Sequence, residues 1–225
     1  MALRNRNVAL KLPMRVWDAP IRLYHWAVLV LLVVAYASLR AGDIRLHLLS
    51  GYGVLVLVLF RILWGFVGSD TARFARFLAG PAAVLRSVAG FGRGMADTQV
   101  GHSPAGGWLA VILLAATLLV AGSGLFVVGG GFAGPLAVRI GADRAAWILA
   151  LHGWSFTVLL ALIVLHVLVV IGFALVPRHD LLRPMLTGKK RLPAATPATR
   201  MANPLLALLV LAVVAAGVWA IATLS

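Results

Sequence analysis

AAWILALHGWSFTVLLALIVLHVLVVIGFALV, residues Ala145 to Val176, is the stretch that decides the fold. It holds no charged residue and runs past the roughly 20 predominantly apolar residues a helix needs to cross a bilayer core. Two histidines interrupt it. His152 and His166 are fourteen positions apart, which in a helix is about 21 Å of rise and about 40° short of four full turns. They face one way at two depths. A histidine in hydrocarbon is costly and usually functional, although one alone can be a packed, hydrogen-bonded residue or a helix-end group.

Four more apolar blocks flank this one: Ile21 to Leu39, Leu46 to Val67, Gly107 to Val128 and Leu205 to Leu224. The 225 residues are 62% hydrophobic and 12% charged, with a mean hydropathy of +1.02. Soluble domains run at about 45 to 50% apolar and about 25% charged, so a soluble globule is excluded and lipid must coat the surface. The expected fold is an all-α integral membrane four-helix bundle with a fifth C-terminal transmembrane helix. Residues 1–191 form the four-helix unit, and 192–225 a linker and the additional span. In the linker, Arg178 to Asn203, Pro193 and Pro197 argue against continuous helix. Between the second and third spans, Gly68 to Gly106 is rich in Arg and Gly. There the spacing of Phe74, Phe77, Leu78, Val84 and Leu85 suggests a short amphipathic helix on the membrane surface.

The formal charge of +14 would favour nucleic acid in a soluble chain, but its distribution has another cause. Of twenty Lys and Arg, sixteen fall in the N-terminal segment, the second loop with the end of helix two, and the linker; only Arg40, Arg45, Arg139 and Arg144 lie on the other side. The positive-inside rule then places the N-terminus in the cytoplasm and the C-terminus outside, and leaves no basic surface to assign to nucleic acid. Ala35-Tyr36-Ala37 after an apolar run resembles a signal-peptide cleavage site. The Arg22, Tyr24, His25, Trp26 cluster at the start of that run instead fits a span entering at a membrane interface. Trp17, Trp26, Trp64, Trp108, Trp147 and Trp219 read as an aromatic belt.

Threading the spans back and forth sets the depth of each histidine. His47 opens the second span and lies at the outer level with His152. His25, fifteen residues before Arg40, lies about 22 Å deeper with His166. Two pairs result, His47 with His152 and His25 with His166, each drawn from two helices. Facing neutral imidazoles without carboxylate or thiolate suit axial ligation of haem iron. Gly51, Gly53, Gly122, Gly124 and Gly153 are placed to make room for a flat macrocycle or simply for close helix packing. Zinc would want three or four ligands together. With no cysteine, thioether-linked haem, thiolate metal sites and cysteine-held iron-sulfur clusters are excluded. Arg61 lies fourteen residues after His47, so it either meets a propionate of the inner haem or snorkels to the inner headgroups. His102 and His179 fall in loops, where solvation is the default.

Several separated motifs carry a family resemblance. Val16-Trp17-Asp18-Ala19-Pro20-Ile21-Arg22-Leu23-Tyr24-His25-Trp26, His47 with Gly51-Tyr52, and Phe60-Arg61-Ile62-Leu63-Trp64-Gly65-Phe66-Val67-Gly68 keep order and spacing with Gly101-His102-Ser103-Pro104, Leu151-His152 and Leu165-His166-Val167. With the tail His179 to Lys190, they resemble the bacterial cytochrome b(561) family, which includes the b-type cytochrome subunits of nickel-iron hydrogenases. The resemblance covers about residues 14 to 191. It implies a bacterial inner-membrane electron carrier with two non-covalent haems b on His25, His47, His152 and His166. It also implies exchange of electrons between a quinone pool and a partner subunit or periplasmic cytochrome, or activity as a small quinone oxidoreductase. The fifth span lies outside the basic pattern and could dock another subunit. Two rival readings are a histidine-based proton or metal-ion transporter and a membrane anchor subunit of a redox complex. The first lacks its usual carboxylate partners, because the chain has six Asp, no Glu, and no Asp within a span.

Overall fold

The computed structural model describes residues 10–90, 99–129, 131–175 and 181–224. Arg4, Arg6, Arg93, Val176, Arg178 and His179 lie outside the described residues. In chain order the elements are β1 (Lys11–Arg15), α1 (Ala19–Arg40), α2 (Ile44–Val67), α3 (Phe74–Phe77), α4 (Pro81–Ala89), α5 (Pro104–Gly124), β2 (Val128–Gly129), β3 (Phe132–Ala133), α6 (Ala142–Leu175), α7 (Leu182–Thr187), β4 (Lys189–Pro193) and α8 (Pro204–Ala222). Five helices, α1, α2, α5, α6 and α8, are long and apolar enough to cross a membrane, and the chain is a helical multi-pass membrane protein.

The helices begin where the sequence supplies a cap. Asp18, Asp43, Ser103 and Asn203 each accept a hydrogen bond from a main-chain N–H in the first turn of α1, α2, α5 and α8, satisfying donors that a helix start leaves unpaired. Pro104 and Pro204 follow their caps directly, where a missing N–H costs nothing. Asp18 does more than cap. Its Oδ1 accepts from Ile21 N at 2.8 Å and its Oδ2 from Trp64 Nε1 at 2.9 Å, which pins the start of α1 to the end of α2. Trp64 is therefore fully buried and is not part of an interfacial belt. Trp147 and Trp219 are exposed, as a belt would have them.

The starts of α1, α5 and α8 and the end of α2 share one face of the bundle. A two-stranded antiparallel ribbon pairs β1 with β4 there. Thr199 Oγ1 donates to Arg15 O at 2.7 Å, Arg200 N to Asp70 Oδ2 at 2.9 Å, and Ala202 N to Ser69 Oγ at 2.9 Å. The linker is thus fastened to this face. It delivers α8 onto α2, where Ala207, Val214 and Val218 are buried against Phe60, Trp64, Leu55 and Leu125. Between apolar helices in lipid such contact is held by close van der Waals packing.

The segment after α2 departs from the expected single amphipathic helix. Gly80-Pro81 separates α3 from α4. Phe77 is buried, and Phe74 packs inward against the helix core instead of lying on lipid. α6 packs along α5. Toward α1 and α2 it stands off, reaching them through the stacked rings of Tyr36 and Phe156, 5.5 Å apart, and through histidines.

Candidate functional site

In the space between α6 and the α1–α2 pair, four histidines meet in twos. The ring centroids of His47 and His152 are 6.3 Å apart, and those of His25 and His166 are also 6.3 Å apart. Two metal–imidazole bonds of about 2.0 Å each would take up about 4 Å of such a gap. The remainder, about 2.3 Å, is two half-rings, so each gap has the span of one iron between opposed imidazoles. Among the described residues no three His, Asp or Glu side chains gather as a metal-binding group.

The two pairs differ in what holds the rings. His47 Nδ1–H donates to the Ala35 carbonyl at 2.8 Å. His152 Nδ1–H donates to the Val120 carbonyl at 3.0 Å and lies 3.2 Å from Ser123 Oγ, itself hydrogen-bonded to the same carbonyl. These bonds fix the tautomer and leave each Nε2 lone pair for a metal. His25 Nδ1, by contrast, is buried without a hydrogen-bond partner. A methyl group on Gly124 would come within 3.2 Å of His152 Cε1, so this glycine is what lets α5 approach the ring. Gly53 accommodates Leu31, whereas Gly51 and Gly122 stand beside open space.

Arg61 is buried at 6% exposure. Its guanidinium lies over the Phe74 ring at 5.0 Å, a cation–π contact that keeps it inside the protein and away from headgroups. His102 is not a solvated loop residue. Its ring is wedged between Trp17 and Phe77, each 4.7 Å away centre to centre. Burial, reinforced by the nearby Arg61 and His166, pushes its pKa down to about 3, so it is neutral at pH 7. Sequence reasoning missed it because a loop position says nothing of burial. Trp17 and Phe77 lie 85 and 25 positions away in the chain, so no neighbour of His102 in the sequence signalled the burial.

These neighbours leave several buried polar atoms unpaired near the His25–His166 pair: Arg61 Nη1, Thr71 Oγ1, His102 Nδ1 and Arg22 Nε. Arg22 Nη1 donates to Leu186 O at 2.6 Å. That carbonyl is brought into place by the turn at Gly188, which ends α7 in the left-handed region at φ 77° where a side chain would be strained.

No curated protein and no solved structure matches the chain. The family model for prokaryotic cytochrome b561 matches residues 16–188, from the residue after β1 to the end of α7, and so takes in all four histidines and Arg61 but not α8. The chain belongs to the prokaryotic cytochrome b561 family and is a membrane b-type cytochrome of electron transfer.

Proposed function

We propose that the chain carries electrons through the bilayer on two non-covalent haems b, one held by His47 and His152 and one by His25 and His166, between a quinone pool and a redox partner. The observation that carries this reading is the equal 6.3 Å gap in both pairs. The standoff of α6 from α1 and α2 and the open space at Gly51 and Gly122 support room for a flat ring in each gap. Haem supplies the one-electron couple; the protein supplies ligands, orientation and potential.

The side chains set the two potentials apart. The carbonyls of Ala35 and Val120 draw on the Nδ1 protons of His47 and His152, which makes those rings stronger donors and favours the oxidised metal. Near His25 and His166 no such bond reaches His25 Nδ1, and the Arg61 cation favours the reduced state. The His25–His166 level is therefore the higher in potential, and the direction of net flow is set by the donor and acceptor at the two faces. Phe74, Phe77 and Trp17 exclude water around Arg61 and His102 and so strengthen their fields.

The basic face that holds β1, β4 and the linker is assigned to the cytoplasm of a bacterial inner membrane, and the C-terminus to the periplasm. An electron passing from the outer to the inner level then moves against up to about 2.3 kcal/mol per 100 mV for the full span, and one passing outward gains it. Residues 1–191 form the electron-carrying unit, and 192–225 add the linker and α8. Purified protein with b-type absorbance, reduced by a short-chain quinol at both haems, supports this function. A haem-containing protein that no quinol reduces would leave it an anchor subunit and refute the quinone link.

A further inference from the structure

Given haems held as proposed above, we infer that Thr71 and His102 complete, with Arg61, a cradle for the carboxylate arms of the haem between His25 and His166. Three segments converge: α2 brings Arg61, the turn after it Thr71, and the loop before α5 His102. A side chain at Gly101 would touch Thr71 at 3.4 Å and Trp17 at 3.7 Å. Trp17 and Phe77 flank the His102 ring, Phe77 packs on Phe74 at 5.8 Å, and Phe74 underlies Arg61 at 5.0 Å.

Each segment ends in a buried polar atom without a hydrogen-bond partner: Arg61 Nη1, Thr71 Oγ1 and His102 Nδ1. Thr71, like Arg61, is only 6% exposed. Such atoms are costly unless a ligand completes them. Arginine offers donors only, and a threonine hydroxyl and a neutral imidazole can each supply one. The missing partner is therefore an acceptor, and with Arg61 among the donors it is an anion. The protein's own carboxylates nearby are engaged elsewhere, Asp18 by Ile21 N and Trp64 Nε1, Asp70 by Arg73 and Arg200 N. A carboxylate accepts several such bonds at once and brings a negative charge that pairs with Arg61, which a quinone carbonyl does not.

The test uses the full haem-loaded chain with Thr71→Val, which keeps the shape, and His102→Phe, which keeps the stack on Trp17 and Phe77. Resonance Raman propionate bands and the midpoint potentials of both haems are read, the His25–His166 haem being identified as the one lost in His25→Ala. Either substitution should shift a propionate band and lower that haem's reduction equilibrium about three- to tenfold, about 30 to 60 mV, because the carboxylate charge is less compensated. The other haem should be unmoved, and Thr71→Ser and His102→Gln should restore the parent values. If one variant fails to fold, the other decides alone. Unchanged propionate bands in a protein that still holds two haems overturn the cradle and leave the proposed function standing. Shifts confined to the carbonyl bands of an added quinone assign these donors to quinone and also overturn it. A chain that binds no haem overturns both.

Discussion

Gly124→Ala inserts one methyl group between α5 and the ring of His152, and the structure fixes what it meets. The new carbon would sit 3.2 Å from His152 Cε1 and 3.6 Å from Nδ1, so the ring must retreat by a few tenths of an ångström. Retreat from α5 stretches the 3.0 Å bond from Nδ1 to the Val120 carbonyl toward the limit of useful geometry. Losing such a bond is worth about 0.5–1.5 kcal/mol, and on a one-electron couple, at 59 mV per tenfold, that is about 20–65 mV. The sign is upward. A less polarised imidazole donates less to the iron, and the oxidised state loses stability. Redox titration followed in the visible bands should show the His47–His152 haem rising by this amount while the His25–His166 haem holds still as an internal reference. An equal rise in both haems, or a fall in the first, would refute the role given to α5 as the clamp on His152.

Other perturbations should read out separately. Arg61→Leu removes a cation worth about 1.7 kcal/mol, about 70 mV, if it acts from about 10 Å at an effective dielectric near 20. It should lower the midpoint of the His25–His166 haem, with less than half that effect at the other pair, about 21 Å of helix rise away; equal shifts count against the assignment. Asp18→Ala strips the α1 cap and leaves the Trp64 indole N–H unpaired. It should cost about 2–4 kcal/mol of stability, seen as a lower thermal denaturation midpoint, with Asp18→Asn retaining most of it; a midpoint unchanged in Asp18→Ala would mean the pin between α1 and α2 is not structural. Reporter fusions after Lys190 and at the C-terminus should score on opposite sides of the membrane, and same-side signals would mean α8 does not cross.

The spans and the facing of the histidines were legible because a helix converts sequence separation into depth at a fixed rise. Fourteen residues between His152 and His166, and the same between His47 and Arg61, are two readings of one ruler. What could not be read depended on contacts between segments far apart in the chain. His102 looks like a loop residue until Trp17 and Phe77 are folded onto it. Trp64 looks interfacial until the Asp18 carboxylate, forty-six positions earlier, claims its N–H. The β1–β4 ribbon joins two basic segments with no apolar alternation to announce a strand. The seat of α8 on α2 is set by small and branched side chains on a helix that is apolar all round, where no periodicity marks a buried face.

The central claim is that each haem draws its two ligands from one depth. Haem-to-protein stoichiometry in paired histidine variants tests it most directly. The parent should hold two haems. His47→Ala with His152→Ala should retain one, as should His25→Ala with His166→Ala, since each pair empties a single site. His25→Ala with His47→Ala should lose most of both. Loss of both haems in the first pair, with one haem of unchanged spectrum and potential kept in the mixed pair, would contradict the account.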